Sequence, residues 1–252
     1  MKISPYFGLL LLGLLFVLSC DEKNPVQPLV CDDGLTDVDG VCVFLCEEGL
    51  TNVDGVCTLV CDDGLTDVDG VCYYQGDLDV LQDIIDVNES LSGEEPLEID
   101  SQRWVDGRLE YLNLYYIQLT SIPESIGNLS SLTYLSLSGN QFTTLPESIG
   151  NLSSLTQLDL DYNQLTILPE SIGGLSSLEW LYLSYNQLTT LPESIGDLSS
   201  LEELGLTYNQ LTTLPESICN FSYCHIRVSN NQLCEEYHYD CIQDWGTQDC
   251  EE

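Results

Sequence analysis

The sequence predicts an α/β solenoid, with short parallel β-strands on one face and helical turns on the other, preceded by a small disulfide-rich β-hairpin stalk. Two periodicities and one compositional feature predict it. Between Leu109 and Asn220 a phrase of 23 residues recurs: Asn140, Asn163, Asn186 and Asn209 keep this interval, as do Pro123, Pro146, Pro169, Pro192 and Pro215. A period in this range marks stacked units, none of which can bury its apolar face alone. Between Cys31 and Cys72 a second phrase recurs every 15 residues. The chain of 252 residues holds 12 cysteines, which points to an oxidising compartment.

The long phrase reads L-x-x-L-x-L-x-x-N-x-L, then T-x-L-P-E-S-I-G-N-L-S-S. These residues resemble the leucine-rich repeat family, in its class with 23-residue repeats and a Pro-Glu-Ser-Ile-Gly stretch on the convex side. The resemblance covers a little under half of the chain. It implies a horseshoe with short parallel strands on its concave face.

At the start, Lys2 precedes an apolar run from Phe7 to Leu18, too short to span a membrane and suited to a signal-peptide core. Val17-Leu18-Ser19-Cys20 resembles the lipobox of bacterial lipoproteins. That resemblance implies a signal peptide over 1–19, lipidation of Cys20, and an exported chain anchored at a bacterial outer membrane or cell surface. An ordinary secretory signal cut nearby is the other reading. Residues 20–30 are polar, carry Pro25 and Pro28, and read as a lipidated tether. In a bacterial chain the Asn-x-Ser triplets at Asn88, Asn128, Asn151 and Asn220 are repeat residues and not glycan sites.

Residues 31–72 form three Cys-rich units, each centred on Asp-Gly between valines, as in Val38-Asp39-Gly40-Val41. Asp-Gly in that setting is a two-residue hairpin signal, because both turn residues need positive φ. The modular spacing favours the bonds Cys31–Cys42, Cys46–Cys57 and Cys61–Cys72. Each bond would stabilise its coreless unit by roughly 3 kcal/mol. The clustered aspartates leave weak Ca²⁺ binding open; no other cofactor and no metal site are expected.

Residues 77–108 read as an N-terminal cap, with Asp77 as N-cap of a helix whose apolar positions are Leu78, Leu81 and Ile85, and with Trp104 packed behind it. Five full repeats follow over 109–222, beginning at Leu109, Leu132, Leu155, Leu178 and Leu201. Their asparagines turn inward to satisfy buried backbone, and Ile117 replaces the first. Residues 223–252 hold a last partial repeat, one residue short of register, and a C-terminal cap. This cap resembles those of secreted leucine-rich repeat proteins. Cys219, Cys224, Cys234, Cys241 and Cys250 are odd in number, so one stays unpaired. Cys224, near a slot that other repeats fill with buried leucine, is the expected free thiol; Cys219 is expected to pair with Cys234 or Cys241.

With 5 Lys+Arg against 42 Asp+Glu the net charge is −37, which excludes binding to phosphate backbones. The acid also serves solubility. Cys224 and His225 are adjacent, so on a strand they face opposite sides. Without a nucleophile elbow, a phosphate loop or metal spacing, the chain is not expected to be an enzyme.

The strand residues that flank the core leucines face outward. Tyr111, Asn113, Tyr134, Gln157, Asp159, Trp180, Tyr182, Tyr185, Glu203 and Tyr208 are the candidate ligand-binding residues, Ser136 lying among them. Exposed Tyr and Trp dominate binding hot spots. Tyr116, Tyr162, Tyr185 and Tyr208 form a column that repeat copying alone would also stack. The expected function is a surface-anchored, protein-binding leucine-rich repeat lipoprotein, adhesive or receptor-like. A glycan- or cell-wall-binding module and a Ca²⁺-stiffened spacer are the alternatives. The membrane is reached only through the lipid.

Overall fold

The computed structural model describes the backbones of residues 35–38, 41–44, 50–53 and 56–59, and then Cys61 and residues 64–69, 71–221, 223–234, 239–242 and 245–250. The signal segment 1–19, Cys20, the tether 20–30, Cys31, Cys46 and His238 lie outside them, as do the side chains of Cys42 and Cys57. The chain divides into two units after Cys61. Among the described residues no helix is long and apolar enough to cross a membrane.

In the first unit β1 (Leu35–Val38) pairs antiparallel with β2 (Val41–Phe44), and β3 (Leu50–Val53) with β4 (Val56–Leu59). Val38 opposes Val41 and Val53 opposes Val56, which leaves two residues for each turn, as the Asp-Gly pairs require.

The second unit opens with a third hairpin of the same kind, β5 (Leu65–Val68) and β6 (Val71–Tyr74). Asp69 in its turn takes a φ of 53°, the left-handed region this turn demands. Cys61 and Cys72 are both disulfide-bonded. Helix α1 (Gln75–Asp86) follows directly and begins earlier than its sequence pattern indicates. Asp77 is therefore not its N-cap. Tyr74 holds that place, without a side-chain bond. Asp77 lies fully buried in the first turn, where its carboxylate accepts Arg108 Nε at 2.9 Å, Arg108 Nη2 at 3.2 Å and the Leu109 N–H at 2.9 Å. A buried carboxylate requires such partners, and here they fasten the cap to the first coil. Buried Asn88 does the same from the other end of the helix. Its Oδ1 accepts the Thr120 N–H, and its Nδ2 donates to Ile84 O and Ser121 O.

Strand β7 (Ser101–Val105) pairs antiparallel with β8 (Arg108–Asn113), and Trp104 packs against the core with its ring edge-on to Tyr73. From β8 the sheet continues in parallel through β9 (Tyr134–Ser136), β10 (Gln157–Asp159), β11 (Trp180–Tyr182), β12 (Glu203–Gly205) and β13 (His225–Arg227), seven strands in all. Behind it each proline leads into a 3₁₀ turn, Glu147–Asn151 in the second coil, whose isoleucine is buried. The L-x-L leucines and these isoleucines fill one continuous core.

The asparagines form the expected ladder. Asn163 Oδ1 accepts the Phe142 N–H at 3.1 Å, while its Nδ2 donates to Leu137 O and Leu160 O at 3.0 and 3.1 Å. Asn140, Asn186, Asn209 and Asn231 repeat the pattern. The backbone groups that these amides meet thereby keep partners on burial. In β13 Ile226 stands opposite Leu204, 22 residues earlier, so the last coil is one residue shorter and keeps register. The C-terminal cap is closed by Cys219–Cys241 and Cys234–Cys250, with Cα–Cα distances of 5.5 and 5.8 Å. Of the two pairings open to Cys219 the fold takes Cys241. Cys224 is the buried free thiol, and desolvation pushes its pKa up to about 12.

Candidate functional site

The exposed sheet face is ruled by strand register. Parallel pairing sets Tyr111, Tyr134, Gln157, Trp180, Glu203 and His225 side by side in one row. Asn113, Ser136, Asp159, Tyr182, Gly205 and Arg227 form the next row. All ten candidate residues retain exposure on this face. Ser136, expected to face outward with them, is instead 2% exposed, its hydroxyl leaning 3.4 Å from Asp159 Oδ2. A short side chain between larger neighbours is simply covered.

A third row lies just past the strands: Tyr116, Gly139, Tyr162, Tyr185, Tyr208 and Asn230, all with φ between 54° and 70°. A tyrosine in the left-handed region is strained by ~1 kcal/mol or more. The conformation persists because each N–H in the row bonds the next coil, Tyr162 to Ser184 O and Tyr185 to Thr207 O at 2.9 Å each. The sequence carried one sign of this backbone, the glycine at 139 in a tyrosine column.

The rings of that row stack. Tyr162 on Tyr185 and Tyr185 on Tyr208 have centroids 4.3 Å apart and planes within 11°. Tyr116 lies instead over Gly139, in the space a Cβ there would take. Tyr111 stacks on Tyr134 at 4.3 Å. Gln157 then interrupts, so Trp180 does not extend that column. Stacking occupies ring faces and leaves edges outward. Among the described residues neither Trp180 nor Tyr182 pairs with another ring, and both keep partial exposure. Buried Gly205 lies against Tyr182: a Cβ there would stand 3.3 Å from Ser184 Oγ and 3.5 Å from Tyr182 Cδ1.

Charge is unevenly placed along the face. Arg103 reaches Glu110 at 3.7 Å and lies 5.8 Å over the Tyr111 ring. At the other end Arg227 pairs Glu203 at 2.6 Å. Between them stand Asp159 and Asp161. The Asp161 N–H donates to Asp159 Oδ1 at 3.0 Å, and the Ser184 N–H donates to Asp161 Oδ1 at 2.6 Å. Burial, then the neighbouring Asp159 charge, pushes Asp161 up to about 6 against the pull of its bonds from Ser184 and of Arg227. Burial raises Asp159 as well. Burial followed by the Glu203 charge raises the Tyr182 hydroxyl. Asp161 follows from the outward-facing pattern of the strands but was not among the expected binding residues, and neither were Arg227 and Gly205. The rarity of cations in the chain was the available signal for Arg227. Among the described residues no three His, Cys, Asp or Glu side chains come together to hold a metal.

Residues 107–184 match the family model described as a leucine-rich repeat region, and residues 165–211 match a leucine rich repeat model. The solenoid is built of leucine-rich repeats. Among solved structures, a leucine-rich repeat protein of Leptospira interrogans is 46% identical with a TM-score of 0.50, covering 51% of this chain and 33% of its own. The chain thus spans about a third of that protein. The leucine-rich repeat ectodomain of the receptor kinase SOBIR1 from Arabidopsis thaliana is 28% identical with a TM-score of 0.50, covering 62% of this chain and 93% of its own. A plant ice-binding protein is 25% identical with a TM-score of 0.53, covering 64% of this chain and 57% of its own. No curated protein matches the chain.

Proposed function

We propose that the chain is an exported leucine-rich repeat lipoprotein, carried through Cys20 on a disulfide-stapled stalk, that recognises a protein through the concave sheet. The observation that carries the recognition surface is the pair of unstacked, part-exposed rings, Trp180 and Tyr182, on a sheet where Tyr111 and Tyr134, and Tyr162, Tyr185 and Tyr208, stack on one another. Large, rigid side chains in a partly covered setting are the kind that dominate protein interfaces. Leucine-rich repeats commonly serve protein recognition, receptor ectodomains among them. Glycan binding through the tyrosine column is less well supported, because a sugar needs ring faces and the Tyr162–Tyr185–Tyr208 stack offers mainly edges.

Full-length protein, immobilised and exposed to surface and secreted fractions, is expected to capture a protein that Trp180→Ala and Tyr182→Ala release. Capture unchanged by both substitutions overturns the concave-face reading. Metabolic labelling with a fatty-acid probe tests the anchor. Label lost in Cys20→Ser is the expected result, and label retained there refutes lipidation at this cysteine.

A further inference from the structure

The concave face also states what chemistry its partner must bring, given the recognition surface proposed above. Three arginines fall within the described solenoid and cap, and each ends on a carboxylate: Arg103 on Glu110, Arg108 on Asp77, Arg227 on Glu203. Two of them also lie over a tyrosine ring, Arg103 over Tyr111 at 5.8 Å and Arg108 over Tyr74 at 4.2 Å. A planar guanidinium suits that pairing, since it donates to a carboxylate from its edge and lays its face on an aromatic ring. The same pairing of acid and ring recurs at the middle of the sheet with its cation missing. Asp159 stands directly beside Tyr182 on the neighbouring strand, and Asp161 follows two residues on. Among the described residues no arginine, lysine or histidine comes within ion-pair distance of either carboxylate. The Tyr182 ring is unstacked and part-exposed, and it lies beside Gly205, where a Cβ would press to 3.3 Å from Ser184 Oγ.

We infer that the centre of the concave sheet receives an arginine side chain from an extended segment of the partner protein, its guanidinium held by Asp159 and Asp161 and laid against Tyr182. Charge complementarity selects this occupant: a chain of net charge −37 draws cationic partners and repels acidic ones. The two carboxylates are held close and partly dehydrated, which raises Asp161 to about 6, and a cation seated between them relieves that cost. A lysine would satisfy the charge but not the ring-and-edge geometry. The ends of the face are already filled by Arg103 and Arg227, so the segment's cation is directed to the middle.

The test uses the full chain and a fluorescein-labelled peptide of alternating arginine and threonine, with lysine and citrulline versions, followed by anisotropy. The arginine peptide is expected to bind more tightly than the lysine peptide, and the citrulline peptide, uncharged but isosteric, not to bind. Asp159→Asn/Asp161→Asn is expected to weaken the arginine peptide about tenfold or more, as for partly desolvated charge pairs. Glu193→Gln/Glu216→Gln removes the same charge from exposed positions on the 3₁₀ side, and is expected to change affinity by less than about twofold, since exposed charges contribute mainly through a screened field. Equal losses from the two double variants would show only the field of an acidic protein and overturn the site. So would equal affinity for the arginine and lysine peptides. If Trp180→Ala and Tyr182→Ala release the captured partner while Asp159→Asn/Asp161→Asn does not, the recognition face stands and the arginine site falls.

Discussion

Replacing Asn140 by alanine should cost more stability than replacing Asn186, although both are buried and occupy the same rung. Asn186 Oδ1 accepts the Leu165 N–H at 3.0 Å, and its Nδ2 donates to Leu160 O at 2.9 Å and Leu183 O at 3.1 Å. Both carbonyls have a second asparagine. Leu160 O also accepts from Asn163, and Leu183 O from Asn209. Alanine at 186 therefore orphans only the Leu165 N–H and halves the bonding of two carbonyls. With ~1–3 kcal/mol for the orphan and ~0.5 kcal/mol for each shared bond, the loss is about 3 kcal/mol. Asn140 lies next to the coil in which Ile117 replaces the asparagine. Its Oδ1 accepts the Leu119 N–H at 2.9 Å, and its Nδ2 donates to Leu137 O and, at 2.7 Å, to Leu114 O, which has no second asparagine. Alanine at 140 orphans a donor and an acceptor, so the loss rises to about 4–5 kcal/mol. Urea unfolding with the disulfides intact, followed by near-ultraviolet circular dichroism, measures both. Equal losses, or a greater loss at 186, would refute the shared-carbonyl account. So would losses below about 1 kcal/mol, the value of an ordinary solvent-exchanged bond.

Three further outcomes follow from buried groups. Asp161 has a folded pKa raised to about 6, above its unfolded value, so the fold binds its proton more tightly; that contribution favours the native state as pH falls from above 6 toward about 4 and is lost as pH rises. Asp161→Asn, which keeps the acceptor for Ser184, should raise the melting temperature near neutral pH and flatten this part of the profile. The gain is about 1 kcal/mol after allowance for solvent reaching the carboxylate, and a profile parallel to wild type would refute it. Asp77→Ala should destabilise by about 3–5 kcal/mol in urea unfolding, because it leaves the Arg108 guanidinium and the Leu109 N–H without their acceptor; a loss under about 1 kcal/mol would show that water replaces it. Cys224, buried with its pKa near 12, should resist iodoacetamide in the native protein and react only after denaturation, as read by peptide mass spectrometry. Native alkylation would show that the last coil opens.

The scaffold was legible in the sequence because it is written redundantly. Leu135, Ile149 and Asn163 each announce a position that recurs, and a residue needed in every coil leaves a period. The hairpin strands and the free Cys224 were legible for related reasons, turn chemistry in one case and a slot in the repeat in the other. Asp77 was misread because helix capping and long-range pairing favour the same residue type, and only the approach of Arg108 on β8 decides between them. The left-handed backbone under Tyr162, Tyr185 and Tyr208 was hidden for the opposite reason, since tyrosine does not advertise positive φ.

By itself the sequence determined a coil of leucine-rich repeats, its interior, its asparagine ladder and its acidic character. These follow from periodicity, which acts through contacts between neighbouring coils. Tertiary structure decided which aromatic rings stack and which do not. Stacking depends on register and ring orientation across strands, so Tyr185 and Tyr208 lie face to face while Trp180 and Tyr182 stay unstacked. It also decided that Asp159 and Asp161 stand without an ion-pair partner, because Arg103 and Arg227 end on Glu110 and Glu203, and Arg227 reaches Asp161 only through its charge.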